Sequence, residues 1–222
     1  MAAKIPVLIV THRLLMADLL VQALGRFADL GPIVHARNLS EARAALRVRP
    51  GAVTLIDPGH PTDDLFALAR ANARARTPSP TLIMADCAPI GWVQRSIAVA
   101  AAGFLGKCAR LDEFVRAIRS AHVQRPFYSP CACGTVIDLA KGKTERFSAR
   151  EITVLERICA GDSSKAIARR LGLKPKSVEG IRHRLMKRTG TSSATQLVRY
   201  ALEERWVDLR PRGTLNLEGA AR

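Results

Sequence analysis

At 222 residues, 48% of them hydrophobic, the chain has the length and apolar content for two separate cores, and two domains is the default reading. No run approaches the roughly 18 apolar residues needed to cross a bilayer, Arg13 ends the apolar N-terminus too early for a cleavable leader, and five cysteines without repeated spacing fit reduced thiols, so a cytoplasmic protein without membrane association is expected. The net charge of +16 is uneven: residues 1–140 carry 16 basic and 10 acidic groups, residues 141–205 carry 16 and 7, and the remainder 3 and 2, so the small C-terminal unit holds the charge density that a polyanion attracts.

From Ile5 to about Ala121, short β-branched or apolar runs alternate with helical patterns, which predicts an α/β (βα)5 doubly wound parallel sheet over residues 1–122. The strands are expected at Pro6 to Val10, Pro32 to Ala36, Ala52 to Ile56, Thr81 to Ala85 and Gly103 to Leu105. Helices are expected near Leu14 to Phe27, Leu39 to Val48, Asp64 to Ala71, Gly91 to Ala100 and Leu111 to His122. Such a sheet gathers functional groups beyond the carboxyl ends of its strands. The residues placed there are Thr11, His12, Asp57, Ala85, Asp86 and Lys107.

Asp57 closing "TLID" and Lys107 in "GFLGK" stand where a two-component receiver domain has its phosphoacceptor and its lysine, and the segment resembles that family in pattern. The resemblance implies Asp57 as phosphoacceptor-equivalent. It also implies an acidic pair after the first strand to help bind Mg²⁺ and a hydroxyl after the fourth. Here those positions hold Thr11 and His12, and Ala85, while the switch position in the fifth strand is Phe104. With two carboxylates missing, neither metal binding nor Mg²⁺-dependent phosphorylation is expected, and no cofactor is implied. Asp57 and Lys107 read as an inherited ion pair bracing the sheet edge, His12 as a loop or capping residue, and Trp92 with Ile97 equally as an interaction surface or as core.

Residues 123–146 contain Pro126, Pro130, Gly134 and Gly142 around one brief apolar run at Val136 to Leu139, which reads as a linker with room for one short helix. Cys131 and Cys133 stand together in it. A Cys-x-Cys pair can hold a metal or sense oxidants, but no second Cys/His pair completes a tetrahedral site.

Over residues 147–206 the apolar residues Ile152, Leu155 and Ile158, then Ile167 and Leu171, then Val178, Ile181 and Leu185 recur at helical spacing and predict three amphipathic helices around one small core. Gly161 suits a left-handed helix end, Ser163 or Ser164 an N-cap, and Pro175 the first turn of the third helix. With Val178, Ile181 and Leu185 turned inward, Lys176, Glu179, Arg182, His183 and Lys187 must face outward.

The whole segment Phe147 to Gly190, with Ala160-Gly161, the run Lys165 to Leu171 and Ser177-Val178, resembles the LuxR/FixJ-type helix-turn-helix domain. The resemblance implies double-stranded DNA as partner, with Lys165 on the phosphate backbone and the third helix in the major groove. It makes Glu179, Gly180 and His183 the base-reading positions and puts Ser177, Arg182, Arg184 and Lys187 near phosphates, with Lys176 a further DNA-binding residue. Glu179 replaces the basic residue usual in that family and could accept from a cytosine amino group. Ser193 opens a fourth helix with Ala194, Leu197, Val198, Ala201 and Leu202 along one face, which the resemblance assigns to pairing two copies on an inverted repeat and which packing within the domain explains as well. Residues 207–222 read as a frayed tail.

Together these features predict a homodimeric DNA-binding regulator of the response-regulator type, independent of phosphorylation. Two alternatives stand beside it: a conventional regulator phosphorylated at Asp57, and an interaction protein whose receiver-like half sequesters a regulatory protein partner while Glu179 weakens DNA binding. No Ser/His/Asp set, phosphate-cradling glycine loop or metal cluster points to an enzyme.

Overall fold

The computed structural model describes residues 4–59, 65–86, 88–141 and 147–207. Its first part alternates β1 (Ile5–Val10), α1 (Leu14–Leu24), β2 (Leu30–Ala36), α2 (Leu39–Val48), β3 (Val53–Ile56), α3 (Leu65–Arg74), β4 (Thr81–Ala85), α4 (Ile90–Ala98), β5 (Gly103–Gly106) and α5 (Leu111–His122). The sheet is parallel throughout, in the order β2-β1-β3-β4-β5, with a sixth strand added beyond β5. Every residue of β3 and β4 is buried, as expected of central strands covered on both faces.

Alternation along the strands splits the interior in two. Leu8, Val10, Ile56, Ile83 and Phe104 pack with α2, α3 and α4, whereas Val7, Ile9, Leu55, Leu82 and Leu105 pack with α1 and α5. Each such side chain contributes about 1.5–3 kcal/mol by leaving water. The predicted strands and helices agree with this architecture to within a few residues at their ends. The expected start of the third helix, Asp64, lies outside the described residues.

The segment after α5 carries the one helix that the sequence left room for and, beyond that expectation, a strand. Phe127–Tyr128 forms β6, parallel to β5, and Pro130–Ala140 forms α6, whose Ala132 and Leu139 are buried in the core shared with α4. Gly103 admits the extra strand: a Cβ there would lie 1.9 Å from the Phe127 carbonyl oxygen. A two-residue strand carries no alternation of its own, so hydrophobic patterning could not reveal it.

The C-terminal part folds into α7 (Ala149–Cys159), α8 (Ser164–Leu171), α9 (Pro175–Thr189) and α10 (Ala194–Glu203). Its core joins Phe147, Val154, Leu155, Ile158, Ile167, Val178, Ile181, Leu185, Leu197, Ala201 and Trp206. Each helix start has a local cause. Ser148 and Glu151 close a capping box on α7, Ser163 caps α8 by accepting from the Ala166 N–H, Pro175 occupies the first turn of α9, and Ser193 caps α10. Gly161, just past α7, adopts φ +82°. Among the described residues no helix is long and apolar enough to cross a membrane.

Candidate nucleic-acid interface and the Asp57 pocket

α9 owes its orientation to three anchors on one side, Val178, Ile181 and Leu185, at 0%, 5% and 0% exposure. The opposite side therefore faces outward along a 15-residue helix, about 22 Å at 1.5 Å per residue. Of the nine residues proposed from sequence as DNA contacts, Lys165, Lys176, Ser177, Glu179, His183, Arg184 and Lys187 are exposed, and Gly180 and Arg182 are half-buried.

Arg182 is less free than helical spacing suggested, because its Nη1 donates to Ser164 Oγ at 3.1 Å and fastens α9 to the first turn of α8. Exposed Arg169 and Arg170 extend the basic surface along α8. Sequence reasoning left out this pair, though the charges themselves were a visible signal.

The first turn of α7 braces this unit from behind. Arg188 Nη1 donates to Glu151 Oε1 at 2.8 Å, and its guanidinium lies 5.0 Å from the Phe147 ring, which itself packs 4.4 Å from Trp206. Burial by itself would raise the Glu151 carboxyl. Hydrogen bonds from the Ser148 N–H and hydroxyl and from Arg188 outweigh it and hold the group below its ordinary value.

At the carboxyl end of β3, Asp57 is 1% exposed and its two oxygens are separately engaged. Oδ1 accepts from the Gly59 N–H at 3.3 Å. Oδ2 lies 2.9 Å from Lys107 Nζ, 3.2 Å from the Thr11 hydroxyl that donates to it, and 3.8 Å from Arg13 Nε. Sequence reasoning had joined Asp57 to Lys107 but missed Arg13, whose backbone N–H also donates to Thr11 Oγ1 at 3.2 Å. Arg13, rather than His12, holds the N-cap position of α1, and it makes no side-chain cap.

Asp86 stands at the rim of this centre, in a long ion pair with Lys107. Its side chain is 73% exposed and its carboxylate comes no nearer than 3.9 Å to Lys107 Nζ. Ala85 and Phe104 are both fully buried. A divalent cation needs several hard oxygen donors, with more than one carboxylate at such a site. One carboxylate facing two cationic side chains does not fit that need, and among the described residues no group of three His, Cys, Asp or Glu could hold a metal.

The two folded units meet at α4. Pro89 gives this helix no side-chain cap, and its orphan donors are met by the other unit: the Ile90 N–H donates to Glu204 Oε2 at 3.2 Å and the Gly91 N–H to the Glu204 carbonyl at 2.9 Å. Gln94 Nε2 donates to the Phe147 carbonyl at 3.0 Å, and the Arg205 guanidinium stands 5.2 Å from the Trp92 ring. Trp92 and Ile97, a pair in the sequence reading, thus part company. Trp92 is buried beneath Arg205, and Ile97 is 41% exposed. These contacts use the end of α10 and the start of α7, so they leave the outer face of α9 uncovered.

Residues 145–201 match the family described as bacterial regulatory proteins, luxR family. The transcriptional regulatory protein UhpA of Escherichia coli K12 is 28% identical over 195 residues, 88% of this chain and 96% of that protein. The probable transcriptional regulatory protein NarL of Mycobacterium tuberculosis H37Rv is 26% identical over 209 residues, 92% and 97% of the two chains. Among solved structures, two RcsB dimers bound to two parallel DNAs share the fold with a TM-score of 0.64 at 15% identity, over 89% of this chain and 97% of that one. RcsB from Salmonella enterica serovar Typhimurium bound to a promoter with a phosphomimetic gives 0.63 at 14%, over 89% and 98%.

Proposed function

We propose that the chain, whose residues 145–201 match the luxR family, is a transcriptional regulator of the response-regulator type that binds double-stranded DNA as a homodimer and needs no phosphoryl group on Asp57 to do so. The observation that supports DNA binding most directly is the outward face of α9, where Lys176, Arg184 and Lys187 are exposed beside Lys165. In this reading the lysines and arginines neutralise phosphates, and Glu179, Gly180 and His183 approach base edges. An inverted-repeat site would match a two-fold pair of such helices.

Independence from phosphate is supported by the Asp57 surroundings. Lys107 and Arg13 already place two positive charges against its carboxylate, and Thr11 already donates to the oxygen they share. Phosphoryl transfer to Asp57 would have to displace these partners and proceed without the second carboxylate that positions a metal. We propose further that the site binds no Mg²⁺.

The test is a salt-dependent anisotropy titration of the full chain on genomic duplexes, with and without acetyl phosphate and Mg²⁺. Tight binding that is equal in both conditions and retained by Asp57→Asn is the expected result. Binding that emerges only after incubation with the phosphodonor and is lost in Asp57→Asn would replace this reading with conventional phosphorylation.

A further inference from the structure

The sequence draws attention to Cys131 and Cys133, but the fold gives Cys131 a different neighbour. Cys108, in the turn after β5, and Cys131, in the first turn of α6, stand 23 positions apart in sequence, and their thiols converge over Gly106. Both sulfurs occupy the space left by the missing side chain of Gly106. A Cβ on that glycine would lie 2.7 Å from Cys131 Sγ and 3.1 Å from Cys108 Sγ. Cys133 instead directs its thiol to the Tyr128 carbonyl at 3.5 Å.

The pair is held in place by a buried brace. Ser129, 1% exposed, accepts from the Gly106 N–H through its hydroxyl at 3.1 Å, donates the same hydroxyl to Glu113, and donates its own N–H to the Phe104 carbonyl at 2.9 Å. Its carbonyl accepts from Ala132 and Cys133 and starts α6. The strand end carrying Cys108 and the helix start carrying Cys131 are therefore fixed to each other. Both cysteines are nonetheless exposed to solvent, unlike the half-buried Cys159.

We propose that Cys108 and Cys131 are a redox-active dithiol that closes to an intramolecular disulfide on reaction with hydrogen peroxide. Cys108 attacks first: its thiolate sulfur displaces hydroxide from the peroxide O–O bond and becomes a sulfenic acid, and the hydroxide takes up the thiol proton as water. Cys131 resolves it, its sulfur attacking the Cys108 sulfur while its proton leaves with the departing hydroxide as a second water. The two sulfurs together lose two electrons and the peroxide gains them. Burial, the neighbouring Cys108 and Glu113 raise the Cys131 thiol, which suits the resolving partner better than the initial nucleophile. A small dithiol reverses the bond by exchange. Disulfides of this transient, sensing kind are those expected in a reducing compartment. Closure would tie the turn that follows Lys107 to α6 and so reach the Asp57 pocket without phosphate.

The experiment is peptide mapping of the full chain after brief hydrogen peroxide treatment and alkylation, a readout independent of DNA binding. The expected product has no covalent link between chains, lacks two alkylatable thiols, contains one cross-link between the peptides bearing Cys108 and Cys131, and reverts with dithiothreitol. Cys108→Ser and Cys131→Ser should each abolish the cross-link and Cys133→Ser should keep it, with circular dichroism reporting that each variant is folded. A Cys131–Cys133 link, a link between chains, or full retention of both thiols would overturn the proposal.

Discussion

The backbone N–H of Gly91 in α4 donates to the carbonyl of Glu204 at the end of α10, 2.9 Å away, so the first turn of one unit's helix is capped by the last carbonyl of the other's. The positive end of the α4 dipole thereby meets both the negative end of α10 and the Glu204 carboxylate. Arg205, next in the chain, adopts φ +53°, a left-handed conformation costing a non-glycine residue about 1–2 kcal/mol, which its stacking on Trp92 helps offset.

Gly91→Ala should open this junction. A Cβ at position 91 would stand 2.5 Å from the Arg205 carbonyl oxygen and 2.6 Å from that of Glu204, both backbone atoms with little freedom to yield. Losing the two N–H bonds to Glu204 removes about 2 kcal/mol of coupling, while alanine in the helix itself is at least as favourable as glycine. Small-angle scattering should report a larger radius of gyration for the variant. Its salt-dependent DNA affinity should match wild type, because the junction does not cover α9. An unchanged scattering profile would refute the capping argument.

Lys107→Met should destabilise the α/β unit by about 3 kcal/mol, because it leaves the buried Asp57 carboxylate short of its nearest cation. Asp57→Asn should cost less, about 1–2 kcal/mol, since Thr11 and Gly59 keep hydrogen-bonding partners in the amide and Lys107 can turn toward exposed Asp86. Urea denaturation of the three proteins gives this ranking directly. The reverse order would mean that Arg13, rather than Lys107, carries most of the compensation.

Glu151 makes the helical unit acid-sensitive. Its folded carboxyl lies below the ordinary 4.5. Stability from its bonds to Ser148 and Arg188 is therefore fully present above pH 4.5 and is lost as pH falls below that value through the folded one. Glu151→Gln should cost about 2 kcal/mol at neutral pH, in line with hydrogen bonds to a charged group. The difference from wild type should shrink in acid. A gap that stays constant between neutral pH and the acid limit would show that the capping amide geometry, not the charge, matters.

Long, regular signals were legible in the sequence. Leu39–Val48 and Leu111–His122 run between the expected residues, and Val178, Ile181 and Leu185 fall on the buried side of α9. What escaped depends on contacts between distant positions. β6 exists because Gly103 has no side chain to exclude the Phe127 carbonyl. Arg13 joins Asp57 only because β1 and β3 are sheet neighbours. The thiols of Cys108 and Cys131 meet only because Ser129 pins α6 to β5. Patterning reports which face of an element is apolar and says nothing of which loops the fold brings together.

Glu179 carries the last expectation, since it is the acidic residue on an otherwise basic and exposed helix face. Near phosphates it repels; near a cytosine amino group it accepts, a contact able to discriminate by about 1–3 kcal/mol. Glu179→Gln should therefore strengthen binding to random duplex while flattening preference at one base pair of the selected site. Lys165→Ala, a phosphate contact in the proposed mode, should weaken all duplexes alike and lower the slope of log affinity against log salt by about 1. Anisotropy titrations of both variants on selected and scrambled duplexes separate the two effects. If Glu179→Gln strengthened selected and random duplexes equally, the side chain would be acting by charge alone and would read no base.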